Sequence, residues 1–457
     1  MRITQARATR RLKSSTVILG IAVATAAYAQ APVTRPIHLG EFYAQVQRAN
    51  PKLGAAQAMA RAARARTPAA SRPPDPQLQL GFMNYSLPSL SPMPPLGMTQ
   101  LQLMQMVPLG GKLALAGRIA GAQADAASER AGDLVWELRS QTAMAFYDLY
   151  ATDQQLGVAR ETLRLLQGIT GAAESMYRVG EGRQADVLRA QVEIAKMTED
   201  TLRMQAIRKT MVSRLNALLD HGAEEEIAAV LRPVFPDSVP AQAWLDATSA
   251  NGRPMIRAGL KDAQAADASV ALARKAIIPD LQVGVQYGQR NTSTTDAGGV
   301  STAATERMGS LMIGASIPLF ARDRQLQMRN EADAMKAAAQ ADVNAMRAET
   351  RGKIGEVYTD LTGARDLARL YRTTVLPQAE ATVSSALSSY RVGRVDFMTL
   401  LDDQMAVNRY RQELYALEAD EGKAWAELEM LTGRELIDSN SIAVMTRAES
   451  VTKGGGR

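Results

Sequence analysis

Cysteine is absent from the 457 residues, histidine occurs only as His38 and His221, and aromatic residues make up 5% of the chain. The first absence excludes disulfides, thiolate metal sites, a cysteine nucleophile and anchoring through an acylated cysteine. Two histidines nearly exclude a histidine-based zinc centre or a Ser-His-Asp relay. Sparse aromatics argue against a base-stacking platform. Long hydrophobic runs are missing too. The apolar stretch from Thr16 to Ala27 falls short of the roughly 20 residues that a helix needs to span a bilayer.

Charge is the next thing in short supply once its position is considered. The formal net charge is +6, but Arg2, Arg7, Arg10, Arg11 and Lys13 stand within the first 29 residues with no acidic residue among them. Basic segment, short apolar run and Ala27-Tyr28-Ala29 together read as a cleavable export leader, 1–29. Its removal leaves the chain close to neutral, so a nucleic-acid partner has no electrostatic support.

What is present is a repeat. The proline of Asn50-Pro51-Lys52 returns in Gly252-Arg253-Pro254, and Pro76-Gln77-Leu78-Gln79-Leu80-Gly81 returns as Pro279-Asp280-Leu281-Gln282-Val283-Gly284. Val107-Pro108-Leu109 matches Ile317-Pro318-Leu319, and Tyr147 matches Tyr358. Tyr177-Arg178-Val179-Gly180 matches Tyr390-Arg391-Val392-Gly393, and Leu215 and Leu218 match Leu428 and Leu431. All six landmarks keep their order at a spacing of roughly 200 residues, the mark of a tandem duplication. The expected halves are 30–239 and 240–433, followed by a tail, 434–457.

Each half has one plan. An alanine-rich helical stretch (about 40–68 and 241–275) precedes a proline and a segment of alternating character. Leu78, Leu80 and Phe82 alternate with Gln77, Gln79 and Gly81, and Leu281, Val283 and Val285 with Gln282, Gly284 and Gln286, which is strand periodicity. A loop (86–97 and 290–303) and a second strand (99–107 and 308–317) complete hairpins at about 77–107 and 280–317. Long helical runs follow, about 112–220 and 322–432, interrupted only near the Tyr-Arg-Val-Gly motif and pointing to coiled coils. Strands of about nine residues with one apolar and one polar face suit a tilted barrel wall between lipid and water. Patterning alone equally allows a soluble α+β protein whose hairpins cap a helical bundle. The export leader favours the cell envelope.

With these features the chain resembles the TolC-type outer-membrane efflux family, from about Ile37 to Gly433. The resemblance rests on Ile37-His38-Leu39-Gly40-Glu41 through Asn50-Pro51, the duplicated helix–strand–strand–helix order, the two Tyr-x-Val-Gly turns and the closing Leu431-Thr432-Gly433. Val107-Pro108-Leu109-Gly110-Gly111-Lys112 resembles the heavy-metal branch. The family fold is an α+β membrane protein whose tandem repeats form, as a trimer, a twelve-stranded outer-membrane β-barrel continuous with a long periplasmic α-helical barrel. Barrel closure agrees, because open sheet edges are not tolerated in lipid and four strands cannot close alone.

The resemblance implies a passive exit duct of a tripartite efflux system, in the outer membrane of a Gram-negative bacterium and extending into the periplasm. Its partners would be two further copies of the chain, a periplasmic adaptor, an inner-membrane transporter and outer-membrane lipid, with no cofactor and no enzymatic activity. Metal ions are the favoured cargo. The same duct in type I protein secretion, or a periplasmic coiled-coil scaffold without a pore, is the alternative.

The family places its periplasmic gate at the two turns. By that resemblance the gate residues are Asp402, Asp403, Asp186, Tyr390 and Arg394, with Tyr390 locked to Asp186 across the turns. The family often sets acidic residues six and nine positions after the second glycine. Here these positions hold Thr399 and Asp402, so one carboxylate ring is absent. Tyr177, Val179, Gly180, Tyr390, Val392 and Gly393 are the expected adaptor-docking turns.

Met83, Met93, Met98, Met104 and Met106 cluster in the first hairpin. Methionine is a flexible apolar filler, so contact with lipid or loop packing is expected of them. Thioethers also suit soft metals, which makes Met83, Met104 and Met106 secondary metal candidates. Gly110-Gly111-Lys112 is not a phosphate loop, since Met106 stands where its first glycine belongs and Leu113 follows the lysine. It reads as a strand passing into a helix. No grouping of acidic residues suggests a catalytic pair.

Overall fold

The computed structural model describes residues 38–93, 96–232, 234–295, 297–299 and 301–438. The expected leader, the chain up to Ile37 and the end of the expected tail lie outside them. The elements run α1 (Leu39–Ala49), α2 (Pro51–Ala70), β1 (Gln77–Met83), β2 (Tyr85–Ser86), β3 (Ser91–Pro92), β4 (Met98–Val107), α3 (Lys112–Arg178) and α4 (Gln184–Leu219). They continue with α5 (Gln242–Gly252), α6 (Pro254–Lys275), β5 (Leu281–Thr295), β6 (Ser301–Ala315), α7 (Gln325–Leu370), a π-helical turn (Tyr371–Val375), α8 (Leu376–Arg391) and α9 (Phe397–Thr432).

The repeated prolines split the opening helix of each half. Steric conflict with a following proline disfavours helical backbone, and Asn50 and Arg253 are both extended, at φ −66°, ψ 119° and φ −65°, ψ 119°. Proline then opens the next helix, where a missing N–H costs nothing. At the first joint the Asn50 side chain accepts from the Lys52 backbone N–H (3.0 Å) and donates to the Leu218 carbonyl (2.9 Å), tying the break to the end of α4.

At 67 residues α3 is about 100 Å long. The run from α7 to α8 is not uniformly helical, contrary to the sequence reading. Pro377 lacks the N–H of a regular turn and crowds the carbonyl before it, and the helix widens into the π turn just upstream.

Strands β1-β4-β5-β6 form one antiparallel sheet in that order, with β1 and β6 as its edges. The register puts Leu78, Leu103, Val285 and Leu311 in one row and Leu80, Leu101 and Tyr287 in another on one face. Gln79, Gln102, Gln286 and Ser310 form the intervening row on the other. Among the described residues nothing covers the apolar face: Leu78 is 66% exposed, Leu311 69% and Ile313 70%. The second hairpin is longer than expected, because 290–295 and 301–303 belong to 15-residue strands instead of a loop. Cross-strand bonding holds this extension: Arg290 pairs with Glu306 at 2.7 Å and Thr305 donates to Asn291 at 3.1 Å. At about 3.3 Å per residue each strand reaches roughly 50 Å, more than the hydrocarbon core requires.

The helices supply the buried core. Phe42, Phe146, Tyr147, Leu149 and Leu215 gather α1, α3 and α4, while Trp425 and Leu428 of α9 pack with Leu245 of α5 and Ile354 and Leu361 of α7. Where α9 crosses α3, Gly422 lies under the Tyr147 ring. A Cβ there would come within 2.4 Å of the ring. Gly422→Ala should therefore force the buried tyrosine to shift and destabilise the protein by about 1–3 kcal/mol. Denaturant unfolding checks this, and pairing the variant with Tyr147→Leu should recover part of the loss.

Candidate functional site

Both Tyr-Arg-Val-Gly motifs end a helix in the same way. The Gly180 N–H bonds the Tyr177 carbonyl (3.1 Å) and the Glu181 N–H that of Met176 (2.9 Å); Gly393 bonds Tyr390 (3.0 Å) and Arg394 bonds Ser389 (2.9 Å). These paired bonds define a Schellman stop, whose left-handed residue favours glycine. Gly180 and Gly393 have φ of 81° and 70°. The repeated motif is thus a reversal signal, turning α3 into α4 and α8 into α9.

The two reversals lie side by side. Tyr390 and Phe397 meet edge to face with ring centroids 5.8 Å apart, in a cluster with Leu166, Ala190, Met197 and Leu400 drawn from α3, α4 and α9. Burial raises the Tyr390 phenol above its ordinary pKa, and the nearby Asp186 carboxylate raises it further. No hydrogen bond joins Tyr390 to Asp186 among the described residues. Tyr390 is buried, whereas Tyr177, Val179 and Val392 stand exposed at the apices. Asp402 and Arg394 are exposed and Asp403 is half-buried. None of the three forms an ion pair within one protomer among the described residues.

Thr399 has a local role. The Asp396 side chain caps α9, accepting from the Thr399 backbone N–H at 2.8 Å and its hydroxyl at 2.6 Å. These bonds, helped by Arg183 of the other turn, lower the Asp396 pKa.

The methionines of β1 and β4 fall on one face of the sheet. Met83, Met98, Met104 and Met106 lie on the glutamine face, opposite the apolar one. Strand alternation decides this, because Met98, Met104 and Met106 share parity with Gln100 and Gln102. Lys112 anchors the start of α3 beneath the sheet, donating to the Ile278 carbonyl (2.7 Å) and to Asp280 (2.8 Å).

A polar cluster around the buried Glu418 is not visible in the sequence. Glu418 accepts from the Tyr150 hydroxyl at 2.8 Å and pairs with Arg232 and with Arg372 of the π turn. Glu418 sits among other acids in an alanine-rich run, and in the sequence it looks like a solvated position. Among the described residues no group of histidine, cysteine, aspartate or glutamate could hold a metal ion, and no helix is long and apolar enough to cross a membrane.

An exposed apolar sheet face joined to long paired helices calls for a further surface, lipid or protein, to cover that face. The model of the outer membrane efflux protein family matches residues 42–221 and 247–434, and the chain belongs to that family. The outer membrane efflux protein BepC of Brucella suis is 23% identical over 309 residues, covering 66% of this chain and 65% of BepC. The cobalt-zinc-cadmium resistance protein CzcC of Cupriavidus metallidurans is 22% identical, covering 72% of this chain and 75% of CzcC. Among solved structures CusC superposes with a TM-score of 0.74 at 17% identity, over 88% of this chain and 93% of its own. The family places the protein in the outer membrane.

The Asp396 cap carries a pH dependence. Since folding favours its ionised form, the cap stabilises α9 above the ordinary carboxylate range, and this is lost as the pH falls through the lowered folded value. Hydrogen exchange at the Thr399 amide should lose protection in strong acid in the wild type. Asp396→Asn, which caps without titrating, should flatten that response.

Proposed function

We propose that three copies of this chain form a passive exit duct, pairing β6 of one copy with β1 of the next into a twelve-stranded barrel, with the helices continuing it into the periplasm. One observation carries the reading: a four-stranded sheet with a bare apolar face and two unpaired edges. In lipid that face is buried, and only closure with further strands satisfies the edge N–H and C=O groups.

The gate lies at the paired reversals. Tyr390 and Asp186, near each other across the reversals but not hydrogen-bonded in the single protomer, form the lock of the closed trimer, and the exposed Asp402 carboxylates of three copies, joined by Asp403, focus negative potential on a narrow opening, with Arg394 beside them. Exposed Tyr177, Val179 and Val392, on apices shaped by Gly180 and Gly393, dock a periplasmic adaptor that links the duct to an inner-membrane transporter. Metal ions are the favoured cargo, supported by the likeness to CzcC.

Conductance in a planar bilayer tests this. The wild type should insert and conduct weakly, Tyr390→Phe with Asp186→Asn should raise conductance several-fold, and Asp402→Ala should weaken block by added divalent cations. A folded protein that extracts into aqueous buffer and never conducts would contradict the duct and favour a periplasmic scaffold.

A further inference from the structure

Six methionines lie on the four-stranded sheet among the described residues, and the register puts all six on the glutamine face: Met83, Met98, Met104, Met106, Met308 and Met312. The apolar face, where a filler side chain would be at home, has none. Five consecutive rows cross the glutamine face from Met106 to Met83, and four of them carry a thioether. Same-face rows are about 7 Å apart.

Two pairs stand out. Met83 and Met98 are direct cross-strand partners. Met104 and Met312 flank Gly284 from either side and lean over it. Met104 Cγ lies 3.2 Å and Met312 Cε 3.5 Å from where a Gly284 Cβ would stand. The missing side chain leaves room for both methionine side chains over Gly284. Gln102 Nε2 contacts Met104 Sδ at 2.6 Å and orients it.

The same five rows hold little charge. Their ionisable side chains are Arg290 and Glu306, which neutralise one another at 2.7 Å. Hard and borderline divalent cations would find no free carboxylate or imidazole there. Neutral sulfur suits a soft monovalent cation.

We propose that Met104 and Met312 form a transit site for a soft monovalent metal ion, Cu(I) or Ag(I), on the water-filled wall of the barrel. Met83 with Met98 forms a second step on the same ladder. The proposal rests on the duct reading, because it needs the glutamine face to enclose water. Two-thioether sites hold an ion loosely, and a passing ion needs several weak sites in series.

The test uses full-length protein in detergent and Ag(I), supplied as silver nitrate in chloride-free buffer. Equilibrium dialysis with metal analysis should find Ag(I) bound by the wild type, and any Zn(II) uptake should be the same in the wild type and the methionine variants. Met104→Leu with Met312→Leu, which preserves volume but removes sulfur, should lower the Ag(I) affinity at least tenfold. Met328→Leu with Met335→Leu, on α7, should leave it unchanged. Equal binding by wild type and the Met104/Met312 variant, or a loss that follows the α7 pair, would overturn the proposal. Conductance without silver is read separately on the same samples. A conducting wild type that binds no silver defeats this site alone, whereas one that never conducts defeats the duct.

Discussion

The constraint on which the structure turns is the hydrogen-bonding demand of a sheet edge. A strand at the edge presents unpaired N–H and C=O groups, tolerable in water and costly in lipid. The sheet of this protein has two such edges, β1 and β6, and an apolar face that none of the described residues covers. Placing that face in lipid removes the cost of exposing it to water but raises the cost of the open edges. Association with other copies settles both, and the even number of antiparallel strands allows β6 to meet β1 of another copy antiparallel.

The helices solve a different problem with the same duplicated parts. They are too polar to enter a bilayer, so their apolar positions are buried among themselves. Phe42, Phe146 and Tyr147 fill one cluster, Trp425 and Leu428 another, and Tyr390 with Phe397 a third at the reversals. A continuous structure about 100 Å long thus rests on several separate cores. The reversals add no special chemistry of their own. They are Schellman stops, and what distinguishes them is the side chains they bring together: Tyr390 near Asp186, Arg183 near Asp396.

Much of this was legible in the sequence because it is periodic or punctuated. Alternation of leucine and glutamine marks β1 and β4, the repeated prolines mark the joints after Asn50 and Arg253, and the glycines of Tyr-Arg-Val-Gly mark the reversals. The extension of β5 and β6 was hidden because serine, threonine and alanine lack the contrast that makes alternation visible, and their pairing is fixed by contacts such as Arg290 with Glu306. The π turn before Pro377 was passed over inside an otherwise helical pattern. The apolar character of the methionines does not by itself assign them to a face. Their parity with Gln100 and Gln102 carried the answer. Glu418, Tyr150 and Arg232 could not be joined from sequence, since nothing local marks a carboxylate that meets Tyr150 across 268 residues.

The central claim is that β1 and β6 pair between copies and close after three. The chain has no native cysteine, so a single cysteine at Gln79 on β1 can be combined with cysteines scanned one at a time along β6. Oxidation in native membranes should give covalent trimers and nothing larger, at alternate positions along β6. Monomers at every scanned position, or a ladder extending beyond trimer, would contradict the account.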